Sequence, residues 1–167
     1  GLISDAGHDD AMLFADLEQI LTSVETDMTV FYRQLAKLSQ SIEPSDCSSW
    51  FDTIAPSYYS PDRISDKYKQ VMGEWISRYI SRVAQDNRSD IQRQIAMNAV
   101  NPKYVLRNYM AQQAIEAADN EDYNEIAALQ QVLKNPYDEQ PEFERYAQKR
   151  PEWARNKAGC SALSCSS

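Results

Sequence analysis

Between His8 and Ala158 the chain holds a single glycine, Gly73. Glycine supplies the positive φ of tight hairpin turns and lets a backbone close around a phosphate. With four glycines in 167 residues and no alternating apolar–polar run, a sheet-rich fold is disfavoured. The same scarcity all but removes a glycine-cradled nucleotide site, and neither a Gly-x-Gly-x-x-Gly nor a Gly-Lys-Ser/Thr string occurs. What the sequence does contain is apolar residues at 3–4 spacing, which predicts an all-α fold.

Leu13, Leu17, Ile20, Leu21 and Val24 place one apolar stripe on a helix near 9–25. Asp27 is an N-cap for a second helix with Met28, Phe31, Leu35 and Leu38 on one face, and the short link predicts an antiparallel hairpin of the two. Residues 41–60 break the pattern with Pro44 and Pro56 among Ser, Asp and aromatics, which predicts an ordered loop. Ser60-Pro61-Asp62 reads as the start of the next helix. Its stripe of Tyr68, Val71, Met72, Trp75, Ile76, Tyr79, Ile80 and Val83 is wide enough to be the centre of the core. Ser89 with Gln92 forms a capping-box pattern for a short helix through Ala99. A further helix is expected over 103–118, and another after the pair Asp122 and Glu125, ending at Asn135-Pro136. These pieces predict an irregular bundle of about six helices over 1–152, followed by a flexible Cys- and Ser-rich tail at 153–167.

Composition narrows the partners. The formal charge is -8, with -8 on residues 1–60, +3 on 61–118 and -3 on 119–167. An acidic chain of this kind does not point to nucleic acid, whose phosphates require clustered Lys and Arg. No apolar run approaches the ~20 residues needed to cross a bilayer, so no membrane role is expected. The first residue is Gly1, which suggests a processed product or an excised piece.

Catalytic chemistry is sparse. One histidine, His8, beside Asp9 and Asp10, is a weak basis for a metal site and none for a nucleophilic triad. The run Asp119-Asn120-Glu121-Asp122 lacks the glycine and terminal glutamate of a calcium loop, so helix capping explains it better. Three cysteines, Cys47, Cys160 and Cys165, give an odd count that suits free thiols in a reducing, cytoplasmic setting. Cys165, near the chain end, is either an unimportant tail residue or an accessible thiol able to exchange with a disulfide partner. A Cys160–Cys165 bridge would close a loop too small to stabilise much.

The string NPKYVLRNYMAQQAIEAA at 101–118 resembles the selenoprotein O family of protein adenylyltransferases. NPYDEQPEFERYA at 135–147, then Pro151-Glu152-Trp153 and the ending Ser164-Cys165-Ser166-Ser167, resemble the C-terminal signature of the same family. Residues 9–38 are similar more loosely, through the Leu-rich pair of helices with Phe31, Tyr32 and Arg33. The resemblance implies the C-terminal third of a bacterial enzyme with a kinase-like fold that binds ATP and Mg and transfers AMP to Ser, Thr or Tyr hydroxyls of proteins. The family's catalytic lysine, metal ligands and catalytic loop lie upstream and map onto nothing here, so no catalytic, cofactor or metal residue is expected in this segment.

By the same resemblance Cys165 is the redox-linked position, bridging to a cysteine of the kinase-like part. Cys160 and the longer spacing from Trp153 to Cys165 leave the bridging thiol open. Lys103 and Arg107, on the mildly basic segment, are candidates to face that kinase-like part. The expected partners are therefore the kinase-like region and the protein substrates of the parent. An excised piece would expose its docking face and tend to self-associate. A second expectation, of another class, is an independent helical interaction domain without a catalytic role.

Overall fold

The computed structural model describes residues 2, 8–43 and 45–160. Among them are seven α-helices: α1 (His8–Thr22), α2 (Met28–Leu35), α3 (Ser48–Ile54), α4 (Asp66–Ala84), α5 (Asp90–Asn98), α6 (Asn108–Ala118) and α7 (Asn124–Val132). Short 3₁₀ turns occupy Ala55–Ser57, Pro61–Arg63, Pro141–Ala147 and Glu152–Ala154. No strand forms among the described residues, although Thr26 and Tyr58 make an isolated antiparallel bridge. The fold is all-α, and none of these helices is long and apolar enough to cross a membrane. The chain divides into two compact units, Gly1–Asn101 and Pro102–Ser167.

The first unit is built around α4. Trp75 is almost fully buried, donates from Nε1 to the Leu13 carbonyl at 2.8 Å, and stacks on Tyr79 with ring centroids 5.1 Å apart. Arg82 grips Asp10 through two hydrogen bonds of 2.7 and 3.0 Å, and Arg78 pairs with Asp16 at 2.7 Å. These crossings make α4 the main partner of α1, while α2 packs on α3 and α5. The expected α1–α2 hairpin is thus replaced, because both helices spend their apolar faces elsewhere. Met28 and Val71, expected in the core, lie on the open sides of α2 and α4.

Local capping explains where the helices begin. Asp27 accepts from the Val30 amide at 3.0 Å, and Ser89 with Gln92 closes the capping box in both directions. The Ser60-Pro61-Asp62 signal starts a single 3₁₀ turn, after which Ile64 is extended. Helix α4 begins at Asp66, with Ser65 accepting from the Tyr68 amide at 3.2 Å. The expected loop 41–60 contains α3. Asp46 accepts from the Ser48 amide at 2.9 Å, and Trp50 and Ile54, one turn apart, are wholly buried. That additional helix raises the count above six.

Two arginines tie α2 and α5 together reciprocally. Arg93 of α5, 0% exposed, donates to the Leu35 carbonyl at 3.4 Å and to the Leu38 carbonyl, at the end of α2. Arg33 of α2 donates to the Asn98 and Asn101 carbonyls at 3.4 and 3.2 Å, at the end of α5. The last carbonyls of a helix have no intrahelical donor and carry partial negative charge, so each guanidinium satisfies both needs. Asp90 completes the joint, accepting from Ser39 Oγ at 2.7 Å and from the Gln40 amide at 3.1 Å.

In the second unit, the expected helix over 103–118 starts at Asn108. The amides of Lys103 and Tyr104 instead donate to the Pro136 carbonyl at 2.7 and 3.1 Å, which holds the preceding segment extended. Tyr104 also donates from its hydroxyl to the Gln140 carbonyl at 2.9 Å. Asp122 accepts from the Asn124 amide at 3.0 Å, but Glu125 pairs with Arg145 at 3.0 Å instead of completing a capping box. Tyr104, Met110, Leu129, Val132 and Tyr146 share one buried cluster.

Two outcomes test this packing. Trp75→Ala should lower unfolding free energy by about 3–5 kcal/mol in urea denaturation, and Trp75→Phe, which keeps the ring but loses the bond to Leu13, should cost less. Burial acts to raise the Asp90 carboxyl, but the bonds from Ser39 and Gln40 and the Arg93 charge outweigh it and hold it below its ordinary value. A depressed folded-state value gives a stability contribution that is complete above about 3.9 and fades as the pH falls through the lower folded value. Asp90→Asn should therefore flatten the acid limb of stability, measured as urea midpoints from neutral pH downward.

Candidate functional site

The thiols carry the sequence's strongest chemical expectation. Cys165 lies outside the described residues. Cys160 is free and 4% exposed, in the same buried cluster as Ala154. Its amide donates to the Lys157 carbonyl at 3.1 Å, which closes a turn through Gly159. Gly159 has φ +78°, and a Cβ there would stand 2.4 Å from Gln112 Oε1. The positive φ favours glycine at this position, while the Gln112 side-chain end could turn aside.

The segment leading to that turn is strapped to α6. Trp153 meets the Tyr109 ring edge-on, with centroids 6.1 Å apart. Lys157 Nζ bonds to Glu116 Oε1 and lies 5.5 Å from the Trp153 ring. The hydrogen bond from Lys157, then that from Gln112, holds the Glu116 carboxyl below its ordinary value. Tyr109, Gln112 and Glu116 are three and four residues apart and so share one face of α6. Within residues 153–160, expected as the beginning of a flexible tail, Ala154 and Cys160 are buried and Trp153 and Lys157 contact α6. The reason is that Trp153, Lys157 and Gly159 each meet a different residue of that face. Sequence reasoning overlooked this strap, though the 3–4 spacing on α6 and the lone late glycine were visible.

Cys47 is chemically quieter. It is half-buried at the N-cap position of α3, beside a groove of about 550 Å³ lined by Trp50, Lys69, Gly73 and Glu74. Burial pushes its thiol up, against a smaller opposite pull from Lys69. A raised thiol has less thiolate at neutral pH and reacts more slowly.

The two basic candidates sit in different surroundings. Lys103 Nζ lies between Glu139 and Glu144, at 2.6 and 2.5 Å, and 5.5 Å from the Tyr104 ring. Burial works to lower its ammonium, but the two carboxylates prevail and raise it. Arg107 is half-buried at the N-cap position of α6, where its carbonyl accepts from the Met110 amide at 2.9 Å. Among the described residues, Lys103 is thus engaged with the 139–144 segment, whereas Cys160 belongs to the buried cluster beneath the strap.

Cofactor fit can be judged from the donor sets. Among the described residues no three His, Cys, Asp or Glu side chains are grouped to hold a metal ion. Asp10, from the His8-Asp9-Asp10 trio, is committed to Arg82. At Gly159, the described glycine with positive φ, the end of the Gln112 side chain lies against the turn.

The comparisons with known proteins give a consistent result. The family Protein adenylyltransferase SelO matches residues 1–134. Protein nucleotidyltransferase YdiU of Aromatoleum aromaticum is 45% identical over 161 residues, covering 96% of this chain and 29% of that protein. Its counterpart in Rhodopirellula baltica is 43% identical over 174 residues, covering 100% of this chain and 32% of that protein. In Flavobacterium johnsoniae the figures are 45% over 157 residues, 93% and 29%. The chain therefore spans 29–32% of the length of these curated relatives. With four-fifths of its length inside the family match, the chain belongs to the family Protein adenylyltransferase SelO.

Proposed function

We propose that this chain is the helical C-terminal part of a bacterial protein adenylyltransferase, supporting a kinase-like region that holds ATP and Mg. The observation that carries this reading is the coverage: nearly all of the chain aligns to under a third of proteins named as nucleotidyltransferases. The whole protein would transfer AMP from ATP to Ser, Thr or Tyr hydroxyls of other proteins in the cytoplasm. Its nucleotide chemistry would reside outside this chain, a reading supported by the lack of any grouped metal-ligating side chains among the described residues.

The role of the tail is redox control. Cys165 would form a disulfide with a cysteine of the kinase-like region, with a low-molecular-weight disulfide accepting the two electrons and two protons as two thiols. Cys160 is the poorer candidate because its sulfur is covered, whereas thiol exchange requires direct approach to the attacked sulfur. Lys103 and Arg107 would contribute to the surface facing the kinase-like region, with Lys103 presented through the carboxylates it bridges.

Two measurements test this. Radiolabelled AMP transfer to protein should be found with the full-length polypeptide, and calorimetry of the 167-residue chain with Mg-ATP should give no binding heat. Specific micromolar Mg-dependent binding to this chain alone would contradict the division of labour. In the full-length protein, Cys165→Ser should abolish a reductant-sensitive gel shift and Cys160→Ser should leave it. The reverse result would reassign the thiol.

A further inference from the structure

Helix α5 has an outer face that its own unit does not use. Its inner side buries Arg93 and Met97. Ile91, Ile95 and, just past the helix end, Val100 are 69%, 65% and 70% exposed. Ile91 and Ile95 lie one turn apart and share a face. From Ile91 to Pro102 the sequence has one ionisable residue, Arg93, and that residue is wholly buried. A stretch of twelve residues therefore shows water β-branched aliphatics and amides with no charge, in a chain that is 25% charged. A helix face that remains in water normally carries charged side chains, whereas the core of a permanent interface is depleted in them.

We infer that this face of α5 is a docking surface for the remainder of the parent polypeptide, engaged through an apolar, uncharged patch on that remainder. The inference rests on the reading above that the chain is one part of a longer protein. Two observations select the occupant. The curated relatives extend well beyond the matched region, so roughly two-thirds of such a protein is available to cover the face. A second copy of this chain is a poorer fit by area. The two isoleucine side chains of this face offer on the order of 200 Å² per copy, against about 800 Å² per partner in a stable interface. A covalently linked partner escapes that requirement, since linkage supplies a high effective concentration.

The test uses the full-length polypeptide carrying Ile95→Cys, with Ile91→Cys as a second variant at an equally open position. Maleimide modification of the introduced thiol is followed by peptide mass spectrometry, which separates it from the native cysteines. The expected result is labelling at least tenfold slower than in the same protein unfolded in urea, at a rate independent of protein concentration. Labelling at the unfolded rate in both variants would overturn the inference. Protection that disappears on dilution would also overturn it, by making a second copy the occupant. The AMP-transfer assay is separate: protection without transfer would refute the enzymatic reading alone, and transfer without protection would refute the docking surface alone.

Discussion

The first unit depends on an exchange of arginines between two short helices. A helix of eight or nine residues is marginal in isolation, and its terminal carbonyls are left without donors. Arg93 crosses from α5 to the end of α2, and Arg33 crosses from α2 to the end of α5. Each helix end thereby gains a charged donor from the other, beyond the local turn bonds it already makes. Because Arg93 is fully buried, its charge must be met by oriented dipoles and the nearby Asp90, and the carbonyls of Leu35 and Leu38 supply them. Losing one partner of such a set leaves a buried charge uncompensated, which is far more damaging than losing a surface pair.

The long helix α4 plays a different part. It supplies a broad apolar face and presents Trp75, Arg78 and Arg82 to α1 at one-turn intervals. The indole bond to Leu13 fixes the height of α1, while the Asp10–Arg82 contact fixes its upstream end. The apolar face provides most of the driving force, and the polar contacts set register. The second unit has no helix of comparable length among the described residues. It relies on extended segments anchored through carbonyls, as at Pro136, and on the packed segment against α6.

What the sequence disclosed follows a physical division. Contacts local in sequence were legible: the Asp27 cap, the Ser89–Gln92 box and the stripe on α4 all depend on residues within a few positions of one another. Contacts decided at a distance were not. Arg33 and Arg93 find backbone carbonyls 55 to 68 residues away, and a carbonyl has no residue-specific signature. The start of α6 moved because a carbonyl 33 residues downstream captured the amides of Lys103 and Tyr104. Prolines around α3 mask the short Trp50–Ile54 pairing, so its sequence has the look of a loop. At the candidate site, the family strings pointed to the thiols, but the cover over Cys160 depends on α6 side chains that no local pattern ties to it.

The turn at Gly159 has one more consequence, for how the second unit can vary. With no Cβ at residue 159, the end of the Gln112 side chain lies where a β-carbon would stand. Positions 112 and 159 are far apart in sequence but share this one space, so a larger residue at the turn requires a different rotamer or a shorter side chain on α6. Substitutions at the two positions are therefore coupled and not additive.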